Sequence, residues 1–97
     1  MNEYLLNDVR FEWDTKKASA NLKKYSVSFE SACEVFFNPF LKVIEVEFTD
    51  DEQRETVIGL NFEWKALYVV YVMREESIRL ISARPTTKSE RNDYENQ

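Results

Sequence analysis

The chain contains no histidine and only one cysteine, Cys33. Those two shortages remove imidazole acid–base chemistry, Cys–His and Ser–His nucleophile pairs, and zinc sites assembled from His and Cys. A lone thiol makes no internal disulfide. Long apolar runs are missing too. The longest, Ala66 to Met73, falls well short of the roughly eighteen residues a membrane-spanning helix needs. The first residues, Met1-Asn2-Glu3-Tyr4, offer neither a basic start nor an apolar signal core. There is one glycine, Gly59, and there are two prolines, with no Ser/Gly linker, repeat or break in composition. What is present is a 97-residue chain that is 43% hydrophobic and 14% aromatic, enough to offset the entropy of ordering one modest core. The expectation is one soluble, cytoplasmic domain over residues 1–97.

Charge is uneven along the chain. Lys plus Arg number 13 against 18 for Asp plus Glu, a formal net charge of −5. Residues 28–63 hold two cations, Lys42 and Arg54, against nine acids, so the middle carries −7 and the rest +2. An acidic total argues against nucleic-acid binding driven by the field of the whole surface, but leaves room for a basic site on the two ends. The acidic middle suits either plain solvation or docking to a basic partner.

Hydrophobic periodicity supplies the elements. Asp8 to Trp13 alternates Val9, Phe11 and Trp13 with polar residues, the period-two mark of a half-buried strand. Asp14 stands where an N-cap belongs, and Thr15 to Lys24 reads as a helix with Ala18, Leu22 and Tyr25 on one stripe. Lys17, Asn21 and Lys24 share the adjacent stripe. Ser28 caps a second helix, with Phe29, Ala32, Cys33, Phe36 and Phe37 facing the core until Asn38-Pro39 stops it. Cys33 on that face reads as a packed, inert thiol. Beyond Leu41 the period becomes two: Ile44, Val46 and Phe48 alternate with Glu45 and Glu47, predicting one dry and one wet face. Asp50-Asp51-Glu52 reads as a turn, since it lacks the spaced ligands of a calcium loop. The strand after it contains Gly59, which suggests a bulge or a close backbone approach. Leu67 to Met73 reads as a central strand covered on both faces, and Ile78 to Ala83 as the last strand. Thr87 with Glu90 matches a capping box opening a short helix to about Glu95. The expected architecture is α+β: a strand and two helices, a four-stranded antiparallel meander, then a C-terminal helix.

The reactive inventory is then Lys, Arg, Tyr, Glu and Asp, with no metal cluster. Arg79 projects from the middle of the last strand, where a guanidinium is desolvated unless it meets an acid or an open cleft. Arg79, Arg84 and Arg91, with the phenol of Tyr94, form a candidate cationic pocket, and phosphate is the ligand that the guanidinium fork suits best. The competing reading pairs these arginines with Glu63, Glu76, Glu90 or another of the many acids. Trp13 and Trp64 read as packing residues more readily than as base-stacking ones.

The string Phe11-Glu12-Trp13-Asp14, then Lys17, Asn21 and Lys24, then Val27-Ser28-Phe29, resembles the opening motif of the BrnT toxin family. The ending, Ile78-Arg79-Leu80-Ile81-Ser82-Ala83-Arg84 followed by Glu90, Tyr94 and Glu95, is similar too, as are Arg54 before Ile58-Gly59 and Val69-Val70-Tyr71. The likeness runs over roughly residues 10–95. It implies a type II toxin of RelE-like fold, a metal-free, cofactor-free ribonuclease that stops translation. A BrnA-like antitoxin neutralises such a toxin, and DNA is reached only through their complex. By position the resemblance puts Lys17, Lys24, Arg54, Arg79, Arg84 and Tyr94 at or near the RNA site, with Arg91 joining from the pocket. Arg79, Arg84 and Tyr94 are the expected catalytic residues; Lys17, Lys24, Arg54 and Arg91 are the expected RNA-binding ones. One departure stands out, since family members often have His-Gly where this chain has Tyr25-Ser26.

The implied chemistry is cleavage through the substrate's own 2′-hydroxyl. Arginines fixed on a strand clamp the phosphate, and Tyr94 or a lysine, Lys17 or Lys24, assists proton transfer. The alternative from another class is a non-catalytic, toxin-like module that holds its antitoxin and tunes repression. The absence of histidine and the net −5 charge favour that alternative.

Overall fold

The structure, a computed structural model, describes residues 1–96. It opens with a hairpin that joins Asn2–Leu6 (β1) to Val9–Trp13 (β2). Asn7 and Asp8 close it at φ 50° and 66°. Two consecutive left-handed residues match the twist of the strands, and Asn and Asp tolerate that conformation best after Gly. β1 was not expected from the sequence. Its residues are mostly exposed, with Tyr4 and Leu6 half-buried, so it lies on an edge with little period-two signal.

Thr15–Tyr25 (α1) follows at once. The Asp14 carboxylate accepts the backbone N–H groups of Lys16 and Lys17 at 2.8 and 3.2 Å, and these bonds hold its pKa below the usual value. The helix ends at Ser26 in the left-handed region, φ 58°, with its N–H on Leu22 O. The second helix begins as expected, with Ser28 Oγ accepting Ser31 N–H at 3.0 Å. It keeps α geometry only over Phe29–Cys33 (α2), however, and tightens into a 3₁₀ turn over Glu34–Phe37. That turn presses on the sheet. A Cβ on Gly59 would lie 3.1 Å from both Cβ and O of Val35 and 3.0 Å from Leu41 Cδ1. The glycine therefore marks a close approach, as its place in the strand suggested.

Four further strands, Lys42–Thr49 (β3), Glu52–Leu60 (β4), Ala66–Met73 (β5) and Ile78–Pro85 (β6), form the expected antiparallel meander. Asp50 and Asp51, at φ 51° and 62°, make the β3–β4 turn. The whole sheet is mixed, not antiparallel throughout. Its order is β1-β2-β6-β5-β4-β3, with β2 parallel to β6 over Phe11↔Ile78 and Glu12↔Arg79. α1 and α2 pack on one face of the sheet, where Phe29 and Ala32 of α2 join Phe11, Trp13, Val57, Val69, Leu80 and Ala83 in the core. Cys33 is fully buried there, and burial first, then Glu30 and Glu34, pushes its thiol pKa up, so it is inert as expected.

Two burial expectations need correcting. β3 has no dry face. It is the outer strand, a bulge at Ile44 shifts its register between Val43 and Glu45, and Ile44, Val46 and Phe48 are all exposed. β5 is closed on the helical side at Leu67, Val69 and Tyr71; on the other side Val72 is buried as expected, but Tyr68 and Val70 are only half-buried. Among the described residues no helix is long and apolar enough to cross a membrane.

Two side chains fix the ends of this frame. Asn21 is buried, and its Nδ2 donates to Ala83 O at 2.7 Å and Val27 O at 3.0 Å, while its Oδ1 accepts Ala83 N–H at 3.1 Å. It belongs to the scaffold, not to an exposed stripe with Lys17 and Lys24. Lys88–Glu95 (α3) opens with the complete Thr87–Glu90 capping box and lies against the sheet face opposite α1. Glu90 binds Arg84 through two bonds of 2.9 Å, and the Arg84 guanidinium stacks 3.9 Å from the Tyr68 ring centroid. Arg84 first, then the Thr87 N–H, pulls the Glu90 carboxyl down to about 2 against burial.

Asn21→Asp tests the first device, because a carboxylate still accepts Ala83 N–H but faces two carbonyl oxygens without a donor. We expect Asn21→Asp and Asn21→Ala each to lower unfolding free energy by at least about 2 kcal/mol in urea denaturation. The second device predicts a pH dependence. A depressed carboxyl pKa adds stability that is complete above about 4.5 and disappears as pH falls towards 2. The melting-temperature difference between wild type and Glu90→Gln should therefore be largest at neutral pH and close over that interval.

Candidate nucleic-acid interface

Register places the arginines. Residues directly opposite on neighbouring antiparallel strands project to the same face. Arg79 pairs with Val72, Val72 with Arg54, and Arg54 with Glu47, giving one rung on the face that α1 and α2 leave uncovered. Ser82, Val70, Thr56 and Glu45 form a second rung, and Arg84, Tyr68, Ile58 and Lys42 a third. α3 crosses the third rung, where Tyr94 approaches Lys42 and Ile58. α3 does not reach the first rung, where Val72 is buried between the half-buried Arg54 and Arg79. Strand spacing puts the backbones of Arg54 and Arg79 about 10 Å apart on either side of Val72.

The three sheet-face arginines differ in what holds them. Arg84 lies within β6 rather than past its end. Its guanidinium is occupied by Glu90, the Pro85 carbonyl and the Tyr68 ring. Arg79 is held loosely, 4.0 Å from Glu12 Oε2 and 3.4 Å from Met1 Sδ, while Ser77 Oγ takes the other Glu12 oxygen. Arg54 has no ion pair among the described residues, and its buried Nε has no hydrogen-bond partner. It is the least satisfied polar group of the site.

The remaining expected residues gather around the end of α1. Tyr25 is half-buried, with Lys24 Nζ 5.1 Å from its ring centroid, and it is near enough to Arg84 for the two to interact electrostatically. Tyr25 and Ser26 line a cleft of about 860 Å³ together with Arg91 and Tyr94 of α3. The Tyr94 hydroxyl donates to Asn38 Oδ1 at 3.3 Å, and burial raises its pKa. It is therefore a proton donor, not a base, at neutral pH. Arg91 is exposed at the cleft. Lys17 is the outlier. It sits exposed in the first turn of α1, about two helical turns from Lys24.

One participant, Tyr68, was not singled out from the sequence. It was hidden inside an apolar run, although its place opposite Arg84 follows once the register is known. Glu90 was read as a capping residue and one possible ion partner, and it serves as both.

The fold has a known counterpart. The family model described as "Ribonuclease toxin, BrnT, of type II toxin-antitoxin system" matches residues 13–90. A solved structure, the 1.1 Å crystal structure of the Brucella abortus ribonuclease toxin BrnT, superposes with a TM-score of 0.63 at 22% identity, covering 80% of this chain and 96% of that one. No curated protein matches. At that identity the structural likeness establishes the shared fold, and the family match extends over most of the chain. The chain belongs to the BrnT family of ribonuclease toxins of type II toxin–antitoxin systems.

Proposed function

We propose that this chain is a translation-inhibiting, cytoplasmic endoribonuclease of RelE-like fold that cuts RNA by attack of the substrate's 2′-hydroxyl, and that a BrnA-like antitoxin neutralises it. The observation that carries the reading is the first rung, where Arg79 is held only loosely, 4.0 Å from Glu12, and Arg54 has no ion pair among the described residues. In-line attack puts extra negative charge on the phosphorane oxygens, and cations already fixed on strands meet it without reorganising. Arg79 and Arg54 hold the phosphate. Arg84 joins when substrate displaces Glu90, and until then it keeps α3 and Tyr68 in place. Tyr94, protonated at neutral pH, supplies the proton to the departing 5′-oxygen, and Lys24 beside Tyr25 assists proton transfer at the 2′-hydroxyl. Lys17 and Arg91 steer the strand from the two ends of the site.

The antitoxin reading rests on charge. β3 is the outer strand, paired only with β4 among the described residues, and its exposed Glu45 and Glu47 continue into Asp50, Asp51 and Glu52, so its free edge complements a basic segment and repels its own copy. The closed Arg84–Glu90 pair and the missing imidazole favour a second reading, a silenced toxin that only holds its antitoxin.

Induced expression of the chain alone separates the two. Growth arrest with defined cleavage ends in messenger RNA supports the enzyme, and healthy cells with intact RNA support the module. With arrest established, Arg79→Ala and Arg54→Ala should each lower cleavage about 10²- to 10³-fold with circular dichroism unchanged. Arg84→Ala should abolish arrest, and undiminished toxicity in all three rejects the assignment. Association with the antitoxin should slow at least about tenfold between low and high salt, and Glu45→Lys with Glu47→Lys should remove most of that dependence.

A further inference from the structure

The two tryptophans part company in the structure. Trp13 is 2% exposed in the core, whereas Trp64 is 77% exposed at the tip between β4 and β5. An exposed indole by itself signifies little, but this one is held out by a built loop. Asn61, buried at 5%, takes the N–H groups of Glu63 and Lys65 on its Oδ1, both at 2.9 Å, and donates to Ser31 Oγ at 3.0 Å. Its backbone closes the same turn through Asn61 N–H to Lys65 O at 2.9 Å and Trp64 N–H to Asn61 O at 3.0 Å. Phe62 N–H is tied to Glu34 Oε1 at 2.8 Å. Inside this frame Trp64 is forced to φ 63°. A bulky residue in the left-handed region is strained, and it persists only where its surroundings over-determine it. The strain gains no packing, because the ring points away from the core.

The ring borders the cleft that also contains Tyr25 and Tyr94. Lys65 and Arg91 stand at its rim with Glu63 and Glu95, two cations against two acids, so the charge is balanced. Such a surface suits an uncharged aromatic ring better than another phosphate; Arg84 is the sheet arginine nearest Tyr25, and Arg54 and Arg79 lie roughly 20 Å along the strands, a few nucleotides away. We propose that Trp64 is a stacking platform for one unpaired base of a single-stranded RNA, seated in this cleft a few nucleotides from Arg54 and Arg79. The inference rests on the ribonuclease reading and adds the subsite through which a base, rather than the backbone, is held. Stacking on an aromatic ring is tolerant of base identity and strong per base.

The test uses the full chain and a short single-stranded RNA made uncleavable by 2′-O-methyl groups. Binding should quench the fluorescence of wild type, because the exposed indole dominates the change. Trp64→Ala should weaken binding about tenfold or more, and Trp64→Phe should restore most of it. Moving an abasic residue along the RNA should find one position whose loss costs the wild type a similar factor and costs Trp64→Ala nothing further. Trp64→Gly should raise the melting temperature while lowering RNA affinity, since glycine relaxes the left-handed position. Unchanged affinity in Trp64→Ala, with Arg54→Ala and Arg79→Ala still defective, overturns the stacking site and leaves the ribonuclease reading standing. If the wild type binds no RNA at all, both fail. Should Trp64→Ala lose its antitoxin and keep its RNA, the ring is a protein contact and the proposal is wrong.

Discussion

Strand β6 carries Arg79 and Arg84 and leads directly into α3, yet β2 pairs with it over only Ile78 and Arg79. Past that point no strand lies beside the outer edge of β6 among the described residues, and without Asn21 an N–H and C=O at Ala83 would be buried without partners. The carboxamide of Asn21 supplies both, one donor and one acceptor in the geometry of a ladder rung. This contact spans 62 residues of chain and fixes α1 across the end of the strand. Its second donation, to Val27 O, fixes the segment after α1 as well. The site follows from it, because Lys24, Tyr25 and Ser26 are brought to Arg84 only if α1 stays in that position.

Local features were largely legible in the sequence. Caps at Asp14, Ser28 and Thr87 depend on residues within four positions, and all three are present. The meander could be read from alternation and turn residues, and the single glycine marked a close contact. What failed was non-local. Alternation in β3 predicts a buried face only if another layer covers it, and nothing in Ile44, Val46 or Phe48 says that the strand lies at an edge. β1 depends on its partner rather than on its own pattern. The parallel pairing of β2 with β6 joins residues 67 positions apart with no turn to announce it.

The site was legible by residue type and not by arrangement. That arginines of the last strand matter could be argued from a guanidinium in an apolar strand, but whether each is free required the register. Asn21 shows the limit in the other direction. It lies in helical phase with Lys17 and Lys24, and periodicity alone assigned it to their surface, although its amide turns inward to close β6.

The state of the arginines is the more telling because acids are in excess. With 18 carboxylates against 13 cations, an arginine on this surface has abundant chances of a partner. Arg84 takes one completely, and Arg74 pairs with Glu52 at 2.8 Å. Arg54 does not, although Glu47 faces it across the ladder and Glu55 follows it in sequence. Leaving a buried guanidinium nitrogen without an acceptor costs stability that a neighbouring carboxylate would recover. Arg79, on the same rung, is likewise kept 4.0 Å from its nearest acid. Two incompletely paired cations flanking one small apolar residue describe a surface that lacks its anion, and an RNA backbone brings a phosphate of matching charge. The closed pair at Arg84 and the open pair at Arg54 and Arg79 thus divide the work along one sheet face. One fixes the helix that borders the site, and the other is left for the substrate.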